Sequence, residues 1–285
     1  KFGLSDFENG LLFATFSICQ FFATPVIGRL SDKYGRRPLL LISITGTALS
    51  MFMMAFAPSA AFLFLARALD GITAGNIPVA FAVISDSTKP EERPRAFGLV
   101  GAAFSFGFVF GPAISAFTIG FGSAIPFIIA GLITALAVVL TALFLPETNK
   151  HINEDKKGKL FDFPKLFKTL FHPQVGSTFL ISLIYYLAFA CAIIYGFQPF
   201  ALNVLHVTVS QNAMLFTLFG VVGLITQTLL VQRFTKWLGL KRAFMMSLFF
   251  TGVAFAIMPF SFSIAMFVLV NIILGVANGI AQTLI

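Results

Sequence analysis

Gly28-Arg29-Leu30-Ser31-Asp32-Lys33-Tyr34-Gly35-Arg36-Arg37-Pro38 is a glycine-punctuated basic stretch wedged between two apolar runs, each long enough to cross a bilayer. Five charges in nine residues cannot lie in hydrocarbon, so this segment is read as a tight loop at the water surface. Working outward from it, apolar runs recur at 8–28, 38–57, 60–84, 96–119, 124–145, 176–200, 211–231, 243–260 and 263–285. Each has roughly the 20 residues that a spanning helix requires. The first opens on Ser5-Asp6-Phe7-Glu8, which has the form of a capping box. The composition agrees: of 285 residues, 58% are hydrophobic, 38 are Phe and only 11% are charged. A soluble domain has about a quarter of its residues charged, so the fold class expected is an all-α polytopic membrane protein.

If the 28–38 loop faces the cytoplasm, so do alternate connections, and these hold 17 of the 19 Lys and Arg. The positive-inside rule then fixes the orientation. The net charge of +8 is therefore a topology signal and not a nucleic-acid footprint. Cys19 and Cys191 both sit inside apolar runs and suggest neither a metal site nor a disulfide. His151 and His172 fall in the long polar connection and His206 in an external one. No Ser/His/Asp set, phosphate loop or metal-ligand spacing appears, which argues against an enzyme and against an ATP-driven pump.

The longest polar stretch, 146–172, divides the chain into a bundle at 1–145 and a second at 173–285. Phe163, Leu166, Phe167, Leu170 and Phe171 recur at helical spacing opposite Lys165 and Lys168. That pattern suits either a short helix in the membrane interface or an ordinary helix packed on the protein. A degenerate repeat links the halves at an offset of 204: Arg29, Gly35 and Arg37 match Arg233, Gly239 and Lys241, while Asp32 is replaced by Lys236. Two similar halves are a recurrent transporter plan, with substrate held between them near the midplane.

Three motifs resemble the major facilitator superfamily, most closely its drug:proton antiporter branch, which includes the tetracycline exporters. Gly28 to Arg37 resembles the signature G-x-x-x-D-x-x-G-R-R between helices 2 and 3, with every position filled. Leu63-x-x-x-Arg67-x-x-Asp70-Gly71 resembles the fourth-helix motif, with Asp70 where Gln is frequent. Gly107-x-x-x-Gly111-Pro112 resembles the fifth-helix antiporter motif, with Ser115-Ala116 in place of its closing glycine pair. The resemblance implies a fold of two six-helix bundles, in which the nine runs are helices 2–10 of twelve. Helix 1 would then precede Lys1, and helices 11 and 12 would follow Ile285. It further implies a monomer in the bacterial inner membrane, driven by the proton gradient without a cofactor, that exports a small amphipathic compound. The runner-up readings are a proton-coupled importer of a metabolite or siderophore-like molecule, and a non-transporting sensor that keeps the fold.

The same resemblance suggests roles for residues. Gly28, Asp32, Gly35, Arg36 and Arg37 would gate, with Asp32 docking at the start of helix 11 in the outward-facing state. Asp86, Glu91 and Glu92 lie on the side of Arg36 and complete a charge-relay latch. Gly107, Gly111 and Pro112 permit close helix packing and a bend, and in an exporter that bend controls cavity closure. Arg67 and Asp70, three apart on one helix, share a face. Asp70 is the acid placed deep in the membrane, where charges pair and mark proton paths. Two readings stay open for the pair, a permanent ion pair that pins the helix and a protonation site coupled to transport. Gln20, Thr24, Asn76, Tyr185, Tyr195, Gln198, Gln227, Asn271 and Asn278 supply neutral polar groups inside spans. Each is by itself commonly an interhelical hydrogen bond; together they imply a mostly apolar pocket wall. The runs at 211–231 and 243–260 hold no acid or histidine of the kind tetracycline exporters place there, which argues against tetracycline itself.

Overall fold

The computed structural model describes residues 2–149, 168–169, 171–172 and 176–284, without the side chains at 94, 95, 98, 101, 102, 105, 194 and 195. Every regular element among the described residues is helical: α1 (Asp6–Tyr34), α2 (Arg36–Ala55), α3 (Ala60–Thr73), α4 (Asn76–Ser87), α5 (Arg93–Thr118), α6 (Ile125–Phe144), α7 (Gly176–Val204), α8 (Val209–Leu238), α9 (Leu240–Phe260) and α10 (Ile264–Leu284). With α3 and α4 taken as one span, eight are long and apolar enough to cross a bilayer; α5 contributes a shorter apolar stretch, Phe106–Phe121. The interfacial helix expected over 163–171 falls, apart from 168, 169 and 171, outside the described residues.

Local chemistry explains the ends. Ser5 Oγ accepts from the Glu8 N–H at 3.3 Å while Glu8 Oε2 accepts from the Ser5 N–H at 2.8 Å, the reciprocal cap read in the sequence. Thr208 and Gln211 build the same box at the start of α8.

The two basic loops are shorter than the sequence suggests. Instead of ending at 28, α1 runs to Tyr34, and α2 starts at Arg36. Gly35 alone makes the turn, at φ 106°, which a side chain resists. Gly28 therefore lies within α1, not in a loop, and a Cβ there would meet open space. The repeat reproduces the device, since Gly239, with φ 79°, separates α8 from α9. Gly35 N–H donates to Ser31 O and Gly239 N–H to Thr235 O, at 3.1 and 3.0 Å. Charged residues can occupy the last helical turns here because those turns emerge from the apolar zone.

The chain divides into two compact units, Lys1–Leu99 with Phe121–Asp162, and Val100–Gly120 with Phe163–Ile285. In the first, α2 packs on α6 and α3, and α3 on α1. Close approach rests on glycines there: a Cβ on Gly131 of α6 would come within 2.9 Å of the Phe52 ring of α2. In the second unit the core joins Phe189, Ile193, Phe197 and Ala201 of α7 to Leu215 and Phe219 of α8 and to Phe267, Val270 and Leu274 of α10. The Phe197 ring sits 4.9 Å from Phe267 and 4.4 Å from Phe216, centroid to centroid.

Candidate functional site

In the first unit, the turn at Gly35 organises a charge network. Asp32, one helical turn before Arg36, pairs with it at 2.5 Å. From α4, Asp86 reaches Arg36 Nε at 3.2 Å, and Arg36 Nη1 also donates to Ser31 Oγ at 2.8 Å. Of the acids expected around Arg36, the structure brings Asp86 into contact; Glu91 and Glu92 stay exposed. Arg37 turns the other way and donates to the carbonyl of Ala142 at the end of α6.

An acid that sequence reasoning missed completes the network. Glu147, just past α6, accepts from the backbone N–H groups of Arg36 and Arg37 at 2.9 and 3.1 Å. It also accepts from those of Thr148 and Asn149. It thus caps the first turn of α2, where an anion is favoured by the helix dipole. Burial alone would push this carboxyl up, but the four backbone donors outweigh it and hold Glu147 below the usual carboxylate range. Asn149 in turn donates to the carbonyls of Ser31 and Asp32 at the end of α1. A Cβ on Gly35 would lie 2.5 Å from Glu147 Oε2, so the glycine answers a close approach as well as a positive φ.

Deeper in the same unit, Arg67 Nη1 lies 3.2 Å from Asp70 Oδ2 on α3. The Asp70 side chain is 6% exposed, with the hydroxyl-bearing Ser50 and Thr47 of α2 beside it. The Arg67 guanidinium lies over the Phe16 and Phe13 rings of α1, at 4.6 and 5.4 Å. The adjacent Gly71 lets α1 close on this pair, because a Cβ there would collide with the Phe16 carbonyl and with Cys19. Gln20 donates to the Ala74 carbonyl at 3.1 Å, where the helix breaks between α3 and α4, and Thr24 bonds back to Gln20 O. Both polar groups are engaged within the fold. Asn76 is half-buried at the first position of α4.

In the second unit, α5 carries Gly107 and Pro112 beside a cavity of about 640 Å³, bordered also by Val100, Ala103, Phe104 and Phe108; Gly111, on the same helix, does not line it. Neither glycine meets an atom within 4 Å of a built Cβ, so the close packing expected of them is not observed. The glycine that permits close contact is Gly220 of α8, whose Cβ would come within 2.7 Å of the Phe108 carbonyl on α5. Pro112 sits inside a helix that continues past it.

Tyr185 donates to Asn278 Oδ1, both buried, which ties α7 to α10. Asn271, one face and two turns earlier, donates to Phe267 O at 2.8 Å and keeps a buried Oδ1 without a partner among the described residues. Gln227 is half-buried and Gln198 exposed; the side chain of Tyr195 lies outside the described residues. Gln227 belongs to a stretch where the helix widens, and Gln198 lies in a short α-helical turn between two such stretches. Residues Ala190–Gly196, Phe200–Val204 and Thr226–Leu230 are π-helical. Such widenings are frequent at functional sites.

The whole chain, residues 1–285, matches the family model described as Major Facilitator Superfamily. The chain belongs to the major facilitator superfamily. Among curated relatives of this superfamily member, multidrug resistance protein 1 of Bacillus subtilis (strain 168) is 36% identical over 243 residues, 83% of this chain and 60% of that one. Tetracycline resistance protein, class G, of Vibrio anguillarum is 32% identical over 257 residues, 88% of this chain and 64% of that one. The chain thus spans somewhat under two thirds of the length of these relatives. The crystal structure of the human organic anion transporter MFSD10 (TETRAN) shares the superfamily fold at a TM-score of 0.75 and 24% identity, covering 97% of this chain and 68% of that one. The nucleoside transporter NupG (D323A mutant) does so at 0.68 and 18%, covering 97% and 72%. In this superfamily member, Glu147 lies 111 residues from its partner Arg36, so no local pattern announces it. A helix-ending Pro-Glu-Thr-Asn after an apolar run was the one available signal.

Proposed function

We propose that the protein is a proton-coupled secondary transporter that exports a small amphipathic compound across a bacterial-type cytoplasmic membrane by alternating access. One observation carries the reading: the Arg67–Asp70 pair at 3.2 Å in a spanning helix, its carboxylate buried and its half-buried guanidinium over the Phe13 and Phe16 rings. Breaking a buried pair by removing one partner costs about 3–5 kcal/mol, so such a pair persists where its charge is used or firmly held. Asp70 is the group proposed to take and release the proton, and Arg67 the cation that sets the balance between its two forms. Protonation and substrate occupancy exclude one another, so that each drives the other's release. The names of the relatives, for multidrug and tetracycline resistance, support export of amphipathic molecules. Apolar spans that carry only scattered neutral polar groups besides the Arg67–Asp70 pair favour lipophilic ligands over sugars or multiply charged anions. No cofactor or catalytic group enters the proposal; the energy source is the proton gradient.

The test is internal pH in proteoliposomes while a panel of lipophilic drugs is added. Drug-dependent proton movement in the wild type, lost in Asp70→Asn while drug binding persists, is the expected result. An active Asp70→Asn variant with an unchanged proton-to-drug ratio refutes Asp70 as the coupling group. Absence of proton movement with every drug refutes the export reading.

A further inference from the structure

The second basic loop repeats the backbone of the first but not its charge balance. At the offset of 204, Asp32 corresponds to Lys236 and Arg36 to Leu240, so both members of the ion pair in the first loop are gone. Residues 163–285 contain no Asp or Glu at all. Arg233 and Lys236 at the end of α8, and Lys241 and Arg242 at the start of α9, are all exposed. Among the described residues, none of the four makes an ion pair, whereas Arg36 in the first loop has two. Four cations converge on one turn with no internal anion. Exposed and without an internal anion, they are open to a counter-charge from outside this unit.

The same turn opens onto an apolar cleft. A cavity of about 280 Å³ lies among Phe234 and Leu238 of α8, Met246 and Phe250 of α9, and Ile273 and Ala277 of α10. The cations do not line the cleft themselves; they sit on the same last turn of α8 and first turn of α9 that supply Leu238 and Ala243 to its wall. Beside it, Trp237 is 80% exposed and Leu240 66% exposed, which suits residues anchored at the membrane interface. Anionic headgroup chemistry and apolar-chain chemistry thus meet at one end of the helix pair.

We propose that this cleft binds an anionic phospholipid, with its phosphate among Lys236, Lys241 and Arg242 and an acyl chain in the groove between α8, α9 and α10. Basic pockets between spanning helices are suited to such headgroups, and the long Lys and Arg stems can follow the chain while the charges stay in the polar zone. A headgroup alone would not require the groove, and a neutral lipid would not require the cations. The two together select a charged lipid.

Trp237 is the single tryptophan of the sequence and reports on the site directly. The protein is reconstituted into phosphatidylcholine vesicles holding about 10 mol % of a lipid brominated on its acyl chains near the headgroup, either phosphatidylglycerol or phosphatidylcholine. The difference signal against Trp237→Phe isolates the reporter. Brominated phosphatidylglycerol is expected to quench it at least about threefold more efficiently than the brominated neutral lipid, with the preference shrinking as salt rises. Lys236→Gln/Lys241→Gln/Arg242→Gln equalises the two lipids. Lys236→Asp, a single exposed change that restores an internal anion, lowers the preference while leaving the helices intact by circular dichroism. Equal quenching by both lipids in the wild type overturns the proposal. So does a preference that survives the triple substitution.

Discussion

Replacing Gly35 and Gly239 separately by alanine measures how much of the first turn is backbone geometry and how much is the Glu147 clamp. Both glycines share the same unusual conformation, with φ of 106° and 79° and ψ near 153° and 154°. A side chain forced there costs about 1–3 kcal/mol. At Gly239 a Cβ meets nothing within 4 Å, so strain is the entire cost. At Gly35 the new methyl displaces Glu147, whose carboxylate accepts from four backbone N–H groups. Those bonds are partly solvated, so their joint loss adds about 1–3 kcal/mol, below the sum of fully buried ones. At about 2–3 °C per kcal/mol for a chain of this size, Gly239→Ala lowers the midpoint of thermal unfolding by about 2–9 °C and Gly35→Ala by about 4–18 °C. The assay is loss of helical circular dichroism in one detergent at one scan rate, with Glu147→Ala and the double variant alongside. In the Glu147→Ala background, Gly35→Ala should cost no more than Gly239→Ala does. Equal drops for the two single glycine variants, or additivity within about 0.5 kcal/mol across the cycle, would refute the clamp.

Glu147 also predicts a pH dependence. Its folded pKa lies below the ordinary value of 4.5, so its stabilisation is fully present above that value and is lost as pH falls through the lower, folded one. Glu147→Gln should therefore lower the unfolding midpoint at neutral pH and flatten its acid limb, so that variant and wild type converge as pH falls below about 4.5. On α8, Gly220→Val should sharply reduce yield of folded protein, since its Cβ would lie 2.7 Å from a backbone oxygen of α5. Gly107→Ala and Gly111→Ala should fold as well as the wild type or gain about 0.5–1 kcal/mol each, read as thermal midpoints. Reduced transport in Gly107→Ala would then report on the cavity it borders and not on folding.

Hydropathy located the spans well because a bilayer imposes length and apolarity on every helix alike. The Ser5–Glu8 cap and the Arg67–Asp70 face were legible for a related reason: both are three-residue spacings that the helix itself converts into contact. What hydropathy cannot register is where backbone hydrogen bonding stops. Arg29 to Tyr34 read as loop because they are polar, yet they continue α1, and only the dihedral angles of Gly35 interrupt it. The glycines of α5 illustrate the converse. Small residues at a four-residue spacing suggested packing, but the contact belongs to Gly220, a lone glycine in α8. Gln20 was read as a cavity wall, and its amide instead serves the broken helix at Ala74. Nor does composition mark the π-helical turns of α7 and α8.

The one-residue turn at Gly35 has a topological consequence. Helices of 29 and 20 residues flank it. Fused end to end they would form a rod roughly 75 Å long at about 1.5 Å per residue, against a hydrocarbon core of about 30 Å. A single glycine therefore sets the parity of the chain. With the reversal in place, α2 returns through the bilayer and every later helix inherits its direction; without it, each downstream segment would emerge on the opposite face. Because Glu147 and Asn149 hold that reversal only after α6 has been made, the turn at Gly35 is secured by two later-arriving residues of its own unit.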